Sequence, residues 1–222
     1  MYRPLNPQLE YAFPEGELKI PEKPSALIIL CLGDGDSRFC PRMHFITQHL
    51  QRRGFATFIF DMLSREESKI YSFNPELAAQ KLVRVTQSLA KFHDLKHLPV
   101  GYFGTSNGTA VALTAASVLK TKVSTVISCS GAPALAIDHL HLINIPVLLL
   151  AGQYNSPVVT ANRQTLHNLS GSKNLAVILP GVSDLFAEGK TLEQVTDISG
   201  DWFSKNLPVK KAAKHRRLKL PA

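Results

Sequence analysis

Hydrophobic residues along this chain fall in short unbroken runs, separated by longer stretches of helical period. Residues 27–32, 55–60, 100–103, 145–150 and 175–179 are almost wholly apolar, and 123–128 read as a further strand in which Val123, Val126 and Ile127 mix with serine and threonine. Runs of this length without alternation fit strands covered on both faces, as in a parallel sheet. Between them lie helical signals. Pro41 opens and Gly54 closes one segment, the asymmetry expected of a helix. Asn74 and Pro75 start a second, which the period extends to about His93 with Leu77, Leu82, Val85 and Leu89 on one face. Residues 109–116 form a third, built of small residues that suit close packing on a sheet. Residues 158–169 and 192–206 complete the set, and 62–74 read as a loop. Residues 9–20 alternate and predict an antiparallel edge hairpin. The order of elements predicts an α/β fold with a doubly wound, mostly parallel sheet and no large cap domain. Residues 1–207 read as a single domain and 208–222 as a flexible tail.

One junction carries chemistry. The apolar run at 100–103 leads directly into Gly104, Thr105, Ser106, Asn107 and Gly108, followed by the small-residue helix. This is a G-x-S-x-G sequence in a strand–turn–helix context, the arrangement that lifts a serine hydroxyl above a sheet edge. Five residues form a weak signal alone; the flanking strand and helix make it specific.

With these elements in place the chain resembles the α/β-hydrolase fold, and within it the dienelactone-hydrolase-like proteins. Four stretches carry the likeness, over about residues 10–207: Leu30 to Arg38, Gly54 to Asp61, Gly101 to Gly108, and Ile145 to Phe186. The resemblance implies carboxylic-ester hydrolysis and places Ser106 at the nucleophile position. It makes the backbone N–H of Asn107 one oxyanion donor. The second donor belongs to the loop after the first core strand, where the family usually has His-Gly and this chain has Leu32-Gly33 followed by Asp34. A carboxylate beside an oxyanion site opposes the charge that forms there. The family acid follows the strand at 145–150, and Asn155 occupies that position. The family histidine follows the last strand, in Pro-Gly-x-x-His-x-Phe, and Asp184 occupies it.

A serine hydroxyl needs a base to become a nucleophile, and the base needs a pKa near the working pH. An ordinary aspartate lies well below that range. Of the eight histidines, His93 and His97 precede a strand, His49 and His167 fall late in helices, and His215 is in the tail. That leaves His44, His139 and His141 within reach of the carboxyl edge of the sheet, where such folds place their sites. Two readings follow. In the first, the chain is a weak or inactive hydrolase that binds a small ester, an acidic ligand or a partner. In the second, it is an active serine esterase or lactonase with a relocated base such as His139 or His44. Arg38 and Arg42 flank the 33–40 loop and, with the helix N–H groups, favour an acidic ligand. The competing use of Arg38 is an ion pair with Asp34 or Asp36 that braces the loop.

Composition adds limits. Three cysteines, Cys31, Cys40 and Cys129, show no metal spacing, and the first seven residues lack a signal-peptide core. These features predict a cytoplasmic protein with free thiols, no metal and no cofactor; Cys31 and Cys129 read as packing residues. No apolar run is long enough to span a bilayer. Net charge is +8, but Lys210, Lys211, Lys214, Arg216, Arg217 and Lys219 supply six of it. The tail is therefore a candidate contact for nucleic acid or an anionic membrane.

Overall fold

The computed structural model describes residues 16–33, 36–62 and 73–208. Seven strands form one sheet: β1 (Gly16–Lys19), β2 (Ala26–Cys31), β3 (Phe55–Phe60), β4 (Val100–Ser106), β5 (Val123–Gly131), β6 (Val147–Gly152) and β7 (Leu175–Leu179). Their spatial order is β1-β3-β2-β4-β5-β6-β7. All pairings are parallel except β1 with β3, where Gly16 lies opposite Phe60 and Lys19 opposite Thr57. The expected edge strand is thus present; residues 9–15 of the expected hairpin lie outside the described residues, as does the tail from residue 209. The chain steps from β2 outward to β3 and returns to β4 on the other side of β2. That reversal opens a crevice at the carboxyl ends of β2 and β4, the usual ligand site of such sheets.

Among the described residues, six helices cover the sheet: α1 (Pro41–Arg52), α2 (Pro75–Leu89), α3 (Gly108–Leu119), α4 (Ile137–Leu140), α5 (Ser156–Asn168) and α6 (Thr191–Asn206), with a 3₁₀ turn at Pro133–Ala136. Every residue of β2 is buried, and the period of two divides them between two cores. Leu27, Ile29 and Cys31 pack with Leu82, Val85 and Leu113 of α2 and α3. Ala26, Ile28 and Leu30 pack with Met43, Ile46, Val195 and Phe203 of α1 and α6. Burial of one such large apolar side chain is worth roughly 1.5–3 kcal/mol, so the two faces together dominate stability. α3 is buried along nearly its whole length, which its glycine and alanines permit.

The structure departs from the sequence reading at several element ends and on one helix face. α2 stops at Leu89, and residues 90–97 form turns leading to β4. Leu77 is exposed, because Ala78 and Ala79 turn inward in its place. β5 runs on to Gly131, three residues beyond the strand read from the sequence, because Ser106 at the end of β4 pairs with Gly131. α1 and α6 are fastened by Arg53, which reaches Asp197 at 3.0 Å and Asp201 at 2.5 Å. Among the described residues, no helix is long and apolar enough to cross a membrane.

Candidate active site

β4 delivers Ser106 to the carboxyl edge in a left-handed conformation, φ +46°. A non-glycine residue held there is strained, and such strain persists where surrounding packing enforces it. The packing is visible at the flanking glycines. A Cβ on Gly104 would stand 2.6 Å from the Cα of Thr109, and one on Gly108 would run into the carbonyl oxygen of Cys31. The Ser106 carbonyl accepts from the Ala132 N–H at 2.8 Å, which fixes the turn from the β5 side. Asn107 is buried and caps α3 with helical backbone angles. These features hold Ser106 at the apex of a tight strand–turn–helix elbow between β4 and α3.

The oxyanion side is only partly described. The Gly33 N–H donates to Thr105 Oγ1 at 3.3 Å, so this N–H is tied to the elbow. Asp34 lies outside the described residues.

Asn155 and Asp184, which the resemblance set at the acid and histidine positions, are brought together. Asn155 caps α5, its Oδ1 accepting from the Val158 N–H at 3.3 Å. With the oxygen so engaged, Nδ2 faces Asp184 and donates to Oδ2 of its carboxylate. The other carboxylate oxygen accepts from the Gly152 N–H at 3.2 Å. Both oxygens of Asp184 are therefore held by the turn that follows β6. The Asp184 carbonyl is held too, by the hydroxyl of Ser130 at 2.8 Å and by Arg42 at 3.3 Å. The arrangement keeps the contact between acid and histidine positions but reverses its polarity: an amide donates to a carboxylate where a carboxylate would accept from an imidazole.

The arginines part company. Arg42 pairs with Asp36 at 2.6 Å, and the Asp36 side chain is only 4% exposed. Through Asp36 and the Asp184 carbonyl, Arg42 joins the loop after β2 to the loop after β7. Arg38 pairs with Asp61 at the end of β3, at 3.3 Å, and lies over the ring of Phe39. Of the two partners expected for Arg38, Asp36 pairs with Arg42, and Asp34 lies outside the described residues.

No histidine reaches the elbow by hydrogen bond among the described residues. His139 Nε2 lies 3.1 Å from Glu76 Oε1, at the start of α2. His44 makes no side-chain hydrogen bond or ion pair to a described residue, and neither does the Ser106 hydroxyl. His49 is paired with Asp197 at the far end of α1. Cys31 and Cys129 are buried free thiols and Cys40 is half-buried. Burial pushes the Cys129 thiol up to about 12, opposed by Arg42 and reinforced by Asp36 and Asp184. It is no nucleophile at neutral pH. Among the described residues no cluster of histidine, cysteine and carboxylate side chains has metal-binding geometry.

Two features escape the sequence. Ser130 sits at φ +49° near the end of β5 and fastens Asp184, but it follows an ordinary strand sequence. Large apolar side chains also rim the site edge: Phe39 after β2, Leu135 and Ile137 after β5, Tyr154 after β6 and Leu185 after β7 are all exposed. Scattered singly along the chain, they show no period that marks them as belonging to one edge of the sheet.

Comparison with known proteins agrees with this geometry. No family model matches the chain. The crystal structure of dienelactone hydrolase from Anabaena variabilis superposes with a TM-score of 0.82 at 36% identity, covering 87% of this chain and 92% of that one. Est1E from Butyrivibrio proteoclasticus superposes at 0.74 with 15% identity over 86% of this chain and 93% of its own, a likeness of fold alone. Two strains of Mycobacterium tuberculosis carry a protein named "putative phosphoribosyl transferase" that is 39% identical over 194 residues. That match covers 86% of this chain but 44% of the mycobacterial protein, so the chain spans less than half the length of these curated relatives.

Proposed function

The chain belongs to the dienelactone hydrolase family, and from that premise we propose that it is a hydrolase-fold binding protein with weak or no esterase activity. Its elbow crevice takes a small carboxylic acid or ester with an apolar body. The observation that carries this reading is the hydrogen bond from the Asn155 amide to the Asp184 carboxylate. A triad works because an acid orients an imidazole whose free nitrogen removes the serine proton. Here the residue at the histidine position has both carboxylate oxygens engaged by Asn155 and Gly152. In subtilisin, loss of the triad base costs on the order of 10⁶ in kcat.

Binding does not need that base. The elbow, the start of α3 and the Arg42 cation stay in place, and the apolar rim supplies contact area for a ligand body. The name of the mycobacterial relatives describes proteins about twice as long. The stretch they share with this chain is the hydrolase-like sheet, so phosphoribosyl transfer is not carried over to it.

The test is labelling with a fluorophosphonate probe, together with binding of phenylacetate followed by ligand-observed NMR. The proposal expects no covalent label on Ser106 and a phenylacetate signal weakened in Tyr154→Ala/Leu185→Ala. Rapid labelling that disappears in Ser106→Ala would establish an active serine hydrolase and favour a base such as His44.

A further inference from the structure

At the edge of the sheet opposite Ser106 lies a cavity of about 810 Å³, within the size range of small-molecule sites. It forms where β5 and β6 begin and where α3 and α6 end. Three cations stand around it: Lys120, Lys173 and Lys205. No aspartate or glutamate lines it, and none of the three lysines has an ion-pair partner among the described residues. Its floor and rim include the apolar Val123, Ile143 and Leu142, the last 43% exposed. Ser124 and Asn144 add polar side chains that make no hydrogen bond to a described residue.

Part of this charge has a local use. Lys120 caps the C-terminus of α3 and Lys205 lies in the last turn of α6, where cations offset the helix dipoles. Each helix end carries only about half a negative charge, against one full charge per lysine, so the cavity stays positive. The backbone of Lys120 holds φ +44°, a conformation that glycine adopts without strain. Lys173 lies in the turn before β7 and belongs to no helix. Beyond Pro208, itself on the cavity wall, residues 209–222 add six more cations and no acid. Like charge opposes that segment as occupant and favours a ligand carrying several negative charges.

We infer that this cavity is a second binding site, for an organic polyphosphate of the nucleoside-polyphosphate kind. Its phosphates lie among Lys120, Lys173 and Lys205, and its planar body rests on the apolar floor. Three separate ammonium groups match several phosphates better than one carboxylate, since lysine recognises phosphate as a point charge. The site is independent of the elbow.

The test uses N-methylanthraniloyl-ATP and fluorescence anisotropy on the full chain. Binding is expected, weakened on the order of tenfold by Lys120→Gln/Lys173→Gln/Lys205→Gln through loss of the coordinating charge. Lys23→Gln/Arg163→Gln/Lys190→Gln, an equal charge change on exposed residues away from the cavity, should leave affinity within twofold or so. Ser106→Ala should also leave it unchanged, and thermal melts would verify that the variants fold. Absence of binding would overturn the inference. So would equal weakening by the distant triple, or weakening by Lys210→Gln/Lys211→Gln/Lys214→Gln while the cavity triple binds normally.

Discussion

Replacing Asn155 by aspartate sets two carboxylates against each other. In the native protein the Asn155 amide donates to Asp184 while its oxygen caps α5. Aspartate can still cap, but its second oxygen meets the Asp184 carboxylate with no proton between them. The lost hydrogen bond to a charged group is worth roughly 1.5–3 kcal/mol. Like-charge repulsion near 4 Å adds up to about 4 kcal/mol at an effective dielectric of 20. Uptake of one shared proton limits the total, so Asn155→Asp should cost about 3–5 kcal/mol at neutral pH. Repulsion raises the folded pair's carboxyl pKa above the unfolded value, so the penalty is full above the folded value. It shrinks as pH falls toward the unfolded range near 4 and a proton bridges the pair. Asp184→His in the same chain replaces the repulsion with an imidazole that donates to the carboxylate introduced at position 155. The double variant should then return to within about 1 kcal/mol of the native protein, a coupling of about 2 kcal/mol or more. Urea unfolding at neutral and mildly acid pH measures this. Trp202, the single tryptophan, bonded to Thr125 at 2.8 Å, serves as reporter. If Asn155→Asp is neutral, or the cycle is additive within about 0.5 kcal/mol, the two positions are not in contact and the reasoning fails.

Arg42→Ala should cost about 3–5 kcal/mol in the same unfolding assay, because it strands the buried Asp36 carboxylate; a loss under about 0.5 kcal/mol would mean that the pair is solvent-screened. Gly108→Ala places a methyl against the Cys31 carbonyl and should destabilise by roughly 1–3 kcal/mol, read as a lowered Tm. Burial pushes Cys129 up to about 12 and raises Cys31 and Tyr102 as well, so the unfolded chain ionises first. Stability should hold below about pH 9 and fall above it, by up to about 1.4 kcal/mol per pH unit for each ionised group. Cys129→Ser should reduce that alkaline slope.

The fold is legible in the sequence because buried parallel strands are nearly pure apolar runs, and five helices are marked by proline, capping residues or period. Ends are less so. Leu77 satisfies the helical period yet lies outside, since period alone does not say which of two neighbouring stripes meets the sheet. At the site, Ser106 is readable from the intact G-x-S-x-G sequence, and Asn155 and Asp184 from the local sequence around them, which matches the family pattern while the residue itself differs. The contact between Asn155 and Asp184 joins segments 29 residues apart and needs the fold. Arg38 and Arg42 look equivalent in the sequence, yet their partners are separate. No spacing encodes that. Ser130 and the apolar rim have no local signature.

The central proposal is that Ser106 is mounted for attack and lacks the base and the acid that would activate it. Hydrolysis of p-nitrophenyl acetate by Asn155→Asp/Asp184→His, compared with the native chain, tests it most directly. A gain on the order of 10²–10⁴, the contribution of a positioned general base, is expected, and it should vanish when Ser106→Ala is added. Native turnover equal to that of the double variant, or no gain at all, would contradict the account.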